Sequence, residues 1–502
     1  MYRNKLIGLL ITASIFVVVF ALEIIGDRVV ASHYHVYEID YQVLPFVHPP
    51  SVSRAIRPVF YVLDYTEQYE ARVAIHRFNN MSRADMLYDF EYLMTILEEN
   101  WPFFNLSISA NGVDVRELAD EMRRMLHDPS TPIRNPIDFL YLVHEYFMVP
   151  INQLGHLSLS RCYEGFFQSL AQLSTLVEQF PTHRSTKHNY ATLSRPEVLM
   201  FYSRLRDSGR GTLSRLTNWG EGRGPAMEFD ILEAGSIAYI RVERMMGMWF
   251  DPQCSVNPRM LHYERLMYEF NKSIAGYGHL IFDFRGNTGG MSVHFRSLVM
   301  PHLLNRRIRL PGYVFYMDGY YANLAREIFC MEPAFLSAFE RIRFERENEN
   351  RDVQFDEPLP YLDTGIGLVH AFRSAARINP RVHYMGARRA AGTEIYFNGK
   401  IWLLTDERTG SAAEEVVAIL KYNNIATLVG EPTWGIMGSG VDPVVFNASL
   451  PNTGIRLRFD VAYYTDPYGR PWQGYGIQPH YPNRPGMDAL ETVLAMIAEM
   501  ER

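Results

Sequence analysis

From Ile401 to Tyr422 the chain reads IWLLTDERTGSAAEEVVAILKY. An apolar run, Ile401 to Leu404, is followed by a break at Thr409 and Gly410, and then by Ala413, Val416, Val417 and Leu420 at helical spacing. The pattern predicts a buried strand, a tight turn carrying Ser411, and a helix. A second strand, turn and helix is predicted where Leu280 to Phe284 runs into RGNTGG, with Phe295, Leu298 and Val299 beyond it. Ile237, Tyr239 and Ile240 predict one more strand, and Ala426 to Val429 another. Ile455, Leu457, Phe459, Val461 and Tyr463 alternate as one long strand, and Asp466 to Gly469 is a turn signal. Asp488, Leu490, Val493 and Ile497 mark a closing helix. From about residue 229 to residue 502 the chain therefore mixes strands and helices in an α/β arrangement.

Upstream the periodicity is helical. Ser82 and Asp85 form a capping-box pattern ahead of Met86, Phe90, Leu93 and Leu97. A second helix is predicted over Val115 to Leu126, and a third from the cap Asn135 and Pro136 to about Met148, with Pro150 stopping it. In the segment INQLGHLSLS, Leu157 and Leu159 alternate with Ser158 and Ser160, so His156 stands where a helix hands over to a strand. The organisation expected is an export segment over 1–31, a tether over 32–80 with Pro45, Pro49, Pro50 and Pro58, a helical domain over 81–160, an insertion or subdomain over 161–228, and the α/β core over 229–502.

Arg3 and Lys5 precede an apolar run from Leu6 to Leu22. That order of charge and hydrophobicity predicts a cleaved signal or an uncleaved membrane anchor, with the rest of the chain exported to the cell envelope or beyond. The 502 residues carry a formal charge of −7. There is no basic run suited to phosphate backbones, which argues against nucleic acid as a partner. The cysteines, Cys162, Cys254 and Cys330, describe neither a disulfide framework nor a zinc site. No P-loop or HExxH pattern is present, and neither a metal nor a cofactor is expected.

A serine at a helix start lies beside unpaired N–H groups and the positive end of the helix dipole, a setting that stabilises negative charge on a nearby oxygen. Taken alone, Ser411 reads as an ordinary helix cap. The glycine turn 286–290 either points N–H groups at a substrate oxygen or is a plain structural turn, and His156 is either a base or one of many histidines in loops.

Taken in order, LGHLSL, SIAYIRV, HLIFDFRGNTGG, IWLLTDERTGSAAEE, TLVGEPTWG and GYGIQP resemble the tail-specific, or C-terminal processing, serine peptidase family (S41) that includes the tricorn core protease. The resemblance implies a ClpP/crotonase-like core behind the N-terminal helical domain. It implies Ser411 as nucleophile, with the N–H groups of Ala412 and of Gly289 or Gly290 in an oxyanion hole. The lysine of one branch falls at Ile436, so His156 of the tricorn-like branch is the implied base. Where that branch places a serine before the histidine and a supporting glutamate near the carboxyl terminus, this chain has Gly155 and Gln473. Ser439 and Glu414 are alternative orienting groups, and the family's peptide-tail-binding PDZ module is not recognisable over 161–227.

Two functions follow. One is an exported serine-type peptidase acting on proteins or peptides. The other is a non-catalytic protein that holds apolar ligands on the same scaffold, like the retinoid-binding relatives of the family. A structural envelope protein would need neither Ser411 nor His156. The distance between those two side chains discriminates among these readings.

Overall fold

Buried strands flanked by helices on both faces assemble the centre of the computed structural model. It describes residues 77–152, 154–159, 184–207, 226–245, 258–290, 292, 295, 299–303, 308–309, 312–323, 370–373, 377–378, 396–437 and 445–502. The expected export segment, nearly all of the tether, Ser439, the three cysteines and much of 161–228 lie outside these residues. No described helix is long and apolar enough to cross a membrane.

Helices α1 (Arg83–Asn100), α2 (Phe104–Asn111), α3 (Val115–His127) and α4 (Pro136–Val143) come first. The reciprocal cap of α1 is present, with the Asp85 N–H donating to Ser82 Oγ at 3.1 Å and the Ser82 N–H to Asp85 Oδ2 at 3.2 Å. Sequence periodicity missed α2, whose FNLSISAN has no clear apolar stripe and is closed by Gly112 in the left-handed region. Pro150 does not stop the third predicted helix. A π turn over His144–Met148 lets the Val149 N–H reach the His144 carbonyl, the chain coils on to Ile151, and Asn152 at φ 54° ends it. The wider register absorbs the N–H that proline lacks.

After β1 (Ser158–Leu159), α5 (Arg184–Leu193) and α6 (Pro196–Asp207), the chain enters its main sheet. The elements that follow are β2 (Met227–Glu233), β3 (Ile237–Val242), α7 (Pro258–Ser273), β4 (His279–Asp283) and α8 (Met300–Leu303). Short strands β5 (Ile308–Arg309), β6 (Tyr313–Tyr316), β7 (His370–Arg373) and β8 (Arg377–Ile378) then lead to β9 (Lys400–Thr405). The chain continues through α9 (Ala412–Tyr422), β10 (Ala426–Gly430), β11 (Val445–Ser449), β12 (Arg456–Asp460), β13 (Ala462–Thr465), β14 (Tyr481–Pro482) and α10 (Ala489–Met500).

The six-stranded sheet runs β14-β10-β9-β4-β3-β2, parallel except for the β2 edge. Successive side chains of a strand point to opposite faces, so Ile281, Trp402, Leu404 and Val429 meet Val493 and Ile497 of α10. Leu280, Phe282, Leu403 and Leu428 face the larger core, which includes Val416 and Leu420 of α9. Burial on both faces explains why these strands read as continuous apolar runs rather than as alternations.

The long strand expected over Ile455 to Tyr463 is in fact two. The chain changes sheet at Val461: β12 pairs with β1 and β11 in one three-stranded sheet, and β13 with β6 in another. Both halves are buried, so the alternation carries no mark of the break. Asp460 ends the first half.

Candidate active site

β4 and β9 are neighbours in parallel register, with Asp283 opposite Leu404, so the turns that leave them lie against each other at the carboxyl end of the sheet, the end at which open α/β sheets place their ligands. The two turns are stitched together. The Gly410 N–H donates to Asn287 O at 2.9 Å, the Gly286 N–H to Asp406 Oδ1 at 2.9 Å, and Thr409 Oγ1 to Phe284 O at 3.0 Å.

Ser411 closes the second turn with φ 53° and ψ −122°. Such backbone costs a non-glycine residue about 1–3 kcal/mol and persists only where its surroundings enforce it. Glu414, fully buried one turn into α9, does the enforcing. Its carboxyl accepts from the Ser411 N–H at 2.9 Å, the Gly435 N–H at 2.7 Å, the Ile436 N–H at 2.9 Å and the Thr433 hydroxyl at 2.6 Å. Glu414 therefore clamps the serine turn to the loop 433–437. The expectation that it orients His156 is not met, since its hydrogen bonds are made to that turn and loop.

Burial pushes the Glu414 carboxyl up to about 7, against the pull of its four donors. A carboxyl whose folded pKa exceeds its unfolded one holds a proton that the unfolded chain has released, so stability falls as pH rises through that window. From the ordinary 4.5 to about 7 this amounts to roughly 3 kcal/mol. Glu414→Gln cannot titrate and should remove that slope from urea midpoints measured between about pH 4 and pH 8. An unchanged slope would assign the proton to another group.

The histidine comes from the helical domain. Leu154–His156 form a tight turn with φ 59° at Gly155 and φ 50° at His156. β1 then pairs antiparallel with β12, Ser158 opposite Arg458 and Leu159 opposite Leu457. Continuing that register outward sets His156 opposite Asp460. His156 Nδ1 lies 2.7 Å from Asp460 Oδ2, and His156 Nε2 lies 3.1 Å from Ser411 Oγ. Because a carboxylate can only accept, Nδ1 carries the proton and Nε2 is free to accept the serine hydroxyl. Asp460 is fully buried, while His156 and Ser411 are 8% and 9% exposed, so the chain of bonds opens to solvent at its serine end.

The Ser411 hydroxyl is thus turned to His156, although the residue also stands at the helix start as a cap would. Gln473 makes its hydrogen bonds elsewhere than to the imidazole: its Oε1 accepts the Gly155 N–H at 3.1 Å, and its Nε2 donates to Met437 O at 2.6 Å and to Asp460 Oδ2 at 3.4 Å. Ile436 is buried and supplies no amine.

Of the N–H groups expected to line an oxyanion hole, that of Gly289 is committed to Asn287 Oδ1 at 2.9 Å. The turn needs this bond to hold its shape, so Gly289 is corrected out of the set. Among the described residues nothing accepts from the N–H of Ala412 or of Gly290. A side chain at Gly289 would bring its Cβ within 2.7 Å of Ser411 Cβ, and one at Gly290 within 1.9 Å of the Met245 carbonyl oxygen. Those contacts explain why the turn is built of glycine beside the serine.

Sequence reasoning missed Asp460. The available signal was an acidic residue inside the apolar stretch FDVAYY; a buried carboxylate there needs a partner. A cavity of about 300 Å³ beside α4 and α6, lined in part by Phe78, Ile137 and Phe201, shares no residue with this cluster.

Residues 236–482, which carry Ser411, Asp460, Gln473 and the glycine turn, match the sequence profile of Peptidase family S41. Over these residues the chain is a member of Peptidase family S41, and it is a serine-type peptidase, acting on proteins or peptides. Among solved structures it is similar to a candidate peptidase of Parabacteroides merdae ATCC 43184, at 17% identity over 84% of this chain and 97% of that one, with a TM-score of 0.45. It is also similar to mature CPAF, at 14% identity over 80% and 92% of the two chains and a TM-score of 0.45. The photosystem II D1 C-terminal processing protease matches at 17% identity over 53% and 51%, with a TM-score of 0.28.

Proposed function

We propose that the chain hydrolyses peptide bonds through an acyl-enzyme on Ser411, with His156 as general base and acid and Asp460 as the carboxylate behind it. The supporting observation is the continuous hydrogen-bond chain Ser411 Oγ, His156 Nε2, His156 Nδ1, Asp460 Oδ2, with links of 3.1 and 2.7 Å. Ser411 Oγ attacks the scissile carbonyl while its proton passes to Nε2. The imidazolium so formed is stabilised by the Asp460 charge, and the negative oxygen by the N–H groups of Ala412 and Gly290. Nε2 then returns the proton to the departing amine, and a water activated by the same nitrogen releases the acyl group. A carrier of apolar ligands would have no use for such a chain.

The test is covalent labelling of the full-length chain by a fluorophosphonate, with the adduct located by mass spectrometry and casein degradation followed in parallel. A single adduct on Ser411, absent from Ser411→Ala, is expected. An adduct elsewhere, or none on a folded protein that also leaves casein intact, would sink the assignment.

The export reading of residues 1–31 stands as a proposal as well, resting on Arg3, Lys5 and the run from Leu6 to Leu22. Fusing that segment to a reporter that folds only outside the cytoplasm should yield active reporter, and an inactive fusion would remove the reading.

A further inference from the structure

Gln473 is fully buried and joins three parts of the molecule that have no covalent reason to stay together. Its own segment is zippered to the loop that follows β10. The Gly474 N–H donates to Gly435 O at 2.7 Å, the Ile477 N–H to Thr433 Oγ1 at 2.7 Å, and the Thr433 N–H to Ile477 O at 3.3 Å. On its other side Gly474 packs so closely on Ala110 of α2 that a Cβ would come within 2.6 Å. From this seat the side chain reaches Gly155, Met437 and Asp460.

An amide has one oxygen that accepts and one nitrogen that donates twice. Here the partners fix which is which. The Gly155 N–H requires an acceptor and takes Oε1; the Met437 carbonyl requires a donor and takes Nε2. The second N–H of Nε2 then falls toward Asp460 Oδ2, the oxygen that also receives the imidazole. Asp460 Oδ1 has no hydrogen-bond partner among the described residues. A buried carboxylate is costly to keep charged, and each donor aimed at it lowers that cost.

We propose that Gln473 is a positioning residue of the Ser411, His156 and Asp460 site, which holds Asp460 toward the imidazole and the Gly155 turn beneath it, and that this seat requires a side chain that is neutral and donates. The inference rests on the peptidase reading above. A carboxylate at 473 could still accept from Gly155, but it would set like charge against Asp460 and two acceptors against each other at Met437 O. Its protonated form could accept from Gly155 and donate to Met437 O or to Asp460 Oδ2, but not to both. The charged groups around the seat are Asp460 itself, His156 beyond it, Arg458 earlier on β12, which interacts electrostatically with Asp460, and Glu414 on the far side of loop 433–437.

The experiment uses the full-length chain and the rate of fluorophosphonate labelling at Ser411 as a function of pH, with thermal melts to verify folding. In the wild type the rate should rise with pH to a plateau and then stay level. Gln473→Glu should add a descending limb on the alkaline side, where the new carboxyl ionises, and below that limb, with one O–H in place of two N–H donors, its rate should lie between those of the wild type and Gln473→Met. Gln473→Met keeps volume and neutrality without the donor. It should label about 10- to 100-fold more slowly at every pH, the range for one hydrogen bond to a charged group.

A merely structural role would slow both variants alike, with no new limb, and that result would overturn the proposal. So would a wild-type rate for Gln473→Met. If labelling of the wild type does not depend on Ser411 and His156, the peptidase reading itself fails; if it does depend on them and Gln473→Glu keeps the wild-type profile, only the role of Gln473 fails.

Discussion

Alanine at Ser411 or at His156 is expected to lower kcat/KM by about 10⁶-fold, and alanine at Asp460 by about 10⁴-fold, the gradation seen where nucleophile and base act as one unit and the acid acts through the base. Combining any two of the three should cost little more than the larger single effect. Asp460→Asn should lose less than Asp460→Ala. With Gln473 Nε2 pointing at the Oδ2 position, the asparagine is steered to place its oxygen there, so the imidazole keeps the tautomer that leaves Nε2 free, and only the charge is missing. Steady-state cleavage of a quenched casein substrate measures all of these. Melting temperatures check that each variant is folded. Equal rates for Asp460→Ala and wild type would remove Asp460 from the mechanism.

A side chain at residue 155 is expected to do nearly as much damage without touching the reacting atoms. Gly155 holds φ 59°, and a Cβ there would lie 2.5 Å from Phe103 Cδ2 and 2.6 Å from Trp101 Nε1. Those rings cannot swing aside. Both are fully buried, they meet edge-on at 5.4 Å, and Phe103 stacks on Tyr463 at 5.7 Å. Left-handed backbone costs about 1–2 kcal/mol with a side chain, and overpacking adds about 1–3 kcal/mol. The chain can relieve the clash only by moving the turn, and His156 is the next residue. A displacement of about 1 Å at a catalytic group costs on the order of 10²-fold in rate. Gly155→Ala and Gly155→Ser should therefore both destabilise by about 2–5 kcal/mol in urea titration and lower the labelling rate at Ser411. A serine tolerated where alanine is not would show that the hydroxyl finds a partner, and would overturn the steric account.

The contrast between Ser411 and Asp460 shows what the sequence could and could not convey. The strand, turn and helix around Ser411 are local: an apolar run, a polar break and a 3.6-residue period lie within one window, and the observed Lys400–Thr405 and Ala412–Tyr422 follow that window closely. The capping box at Ser82 and the helix start at Asp488 are local in the same way. Asp460 becomes visible only through pairing. Its place opposite His156 depends on the register of β1 on β12, and its position at the end of a strand depends on a change of sheet that no side chain announces. The bonds that Glu414 accepts from the Thr433 hydroxyl and from the Gly435 and Ile436 N–H groups belong to the same class of fact. Each is a competition for a hydrogen bond among residues far apart in the chain, and composition and period say nothing of who wins.

The site draws His156 and Asp460 from one sheet and Ser411 from the end of another. During synthesis this sets a timetable. The segment bearing His156 emerges first, the serine turn long afterwards, and Asp460 and Gln473 later still. A nascent chain that already displays Ser411 has no carboxylate behind its histidine and no amide bracing the two, and strand β1 has nothing to pair with until β12 leaves the ribosome. The proposed Ser411, His156 and Asp460 site therefore cannot assemble before β12 has been made.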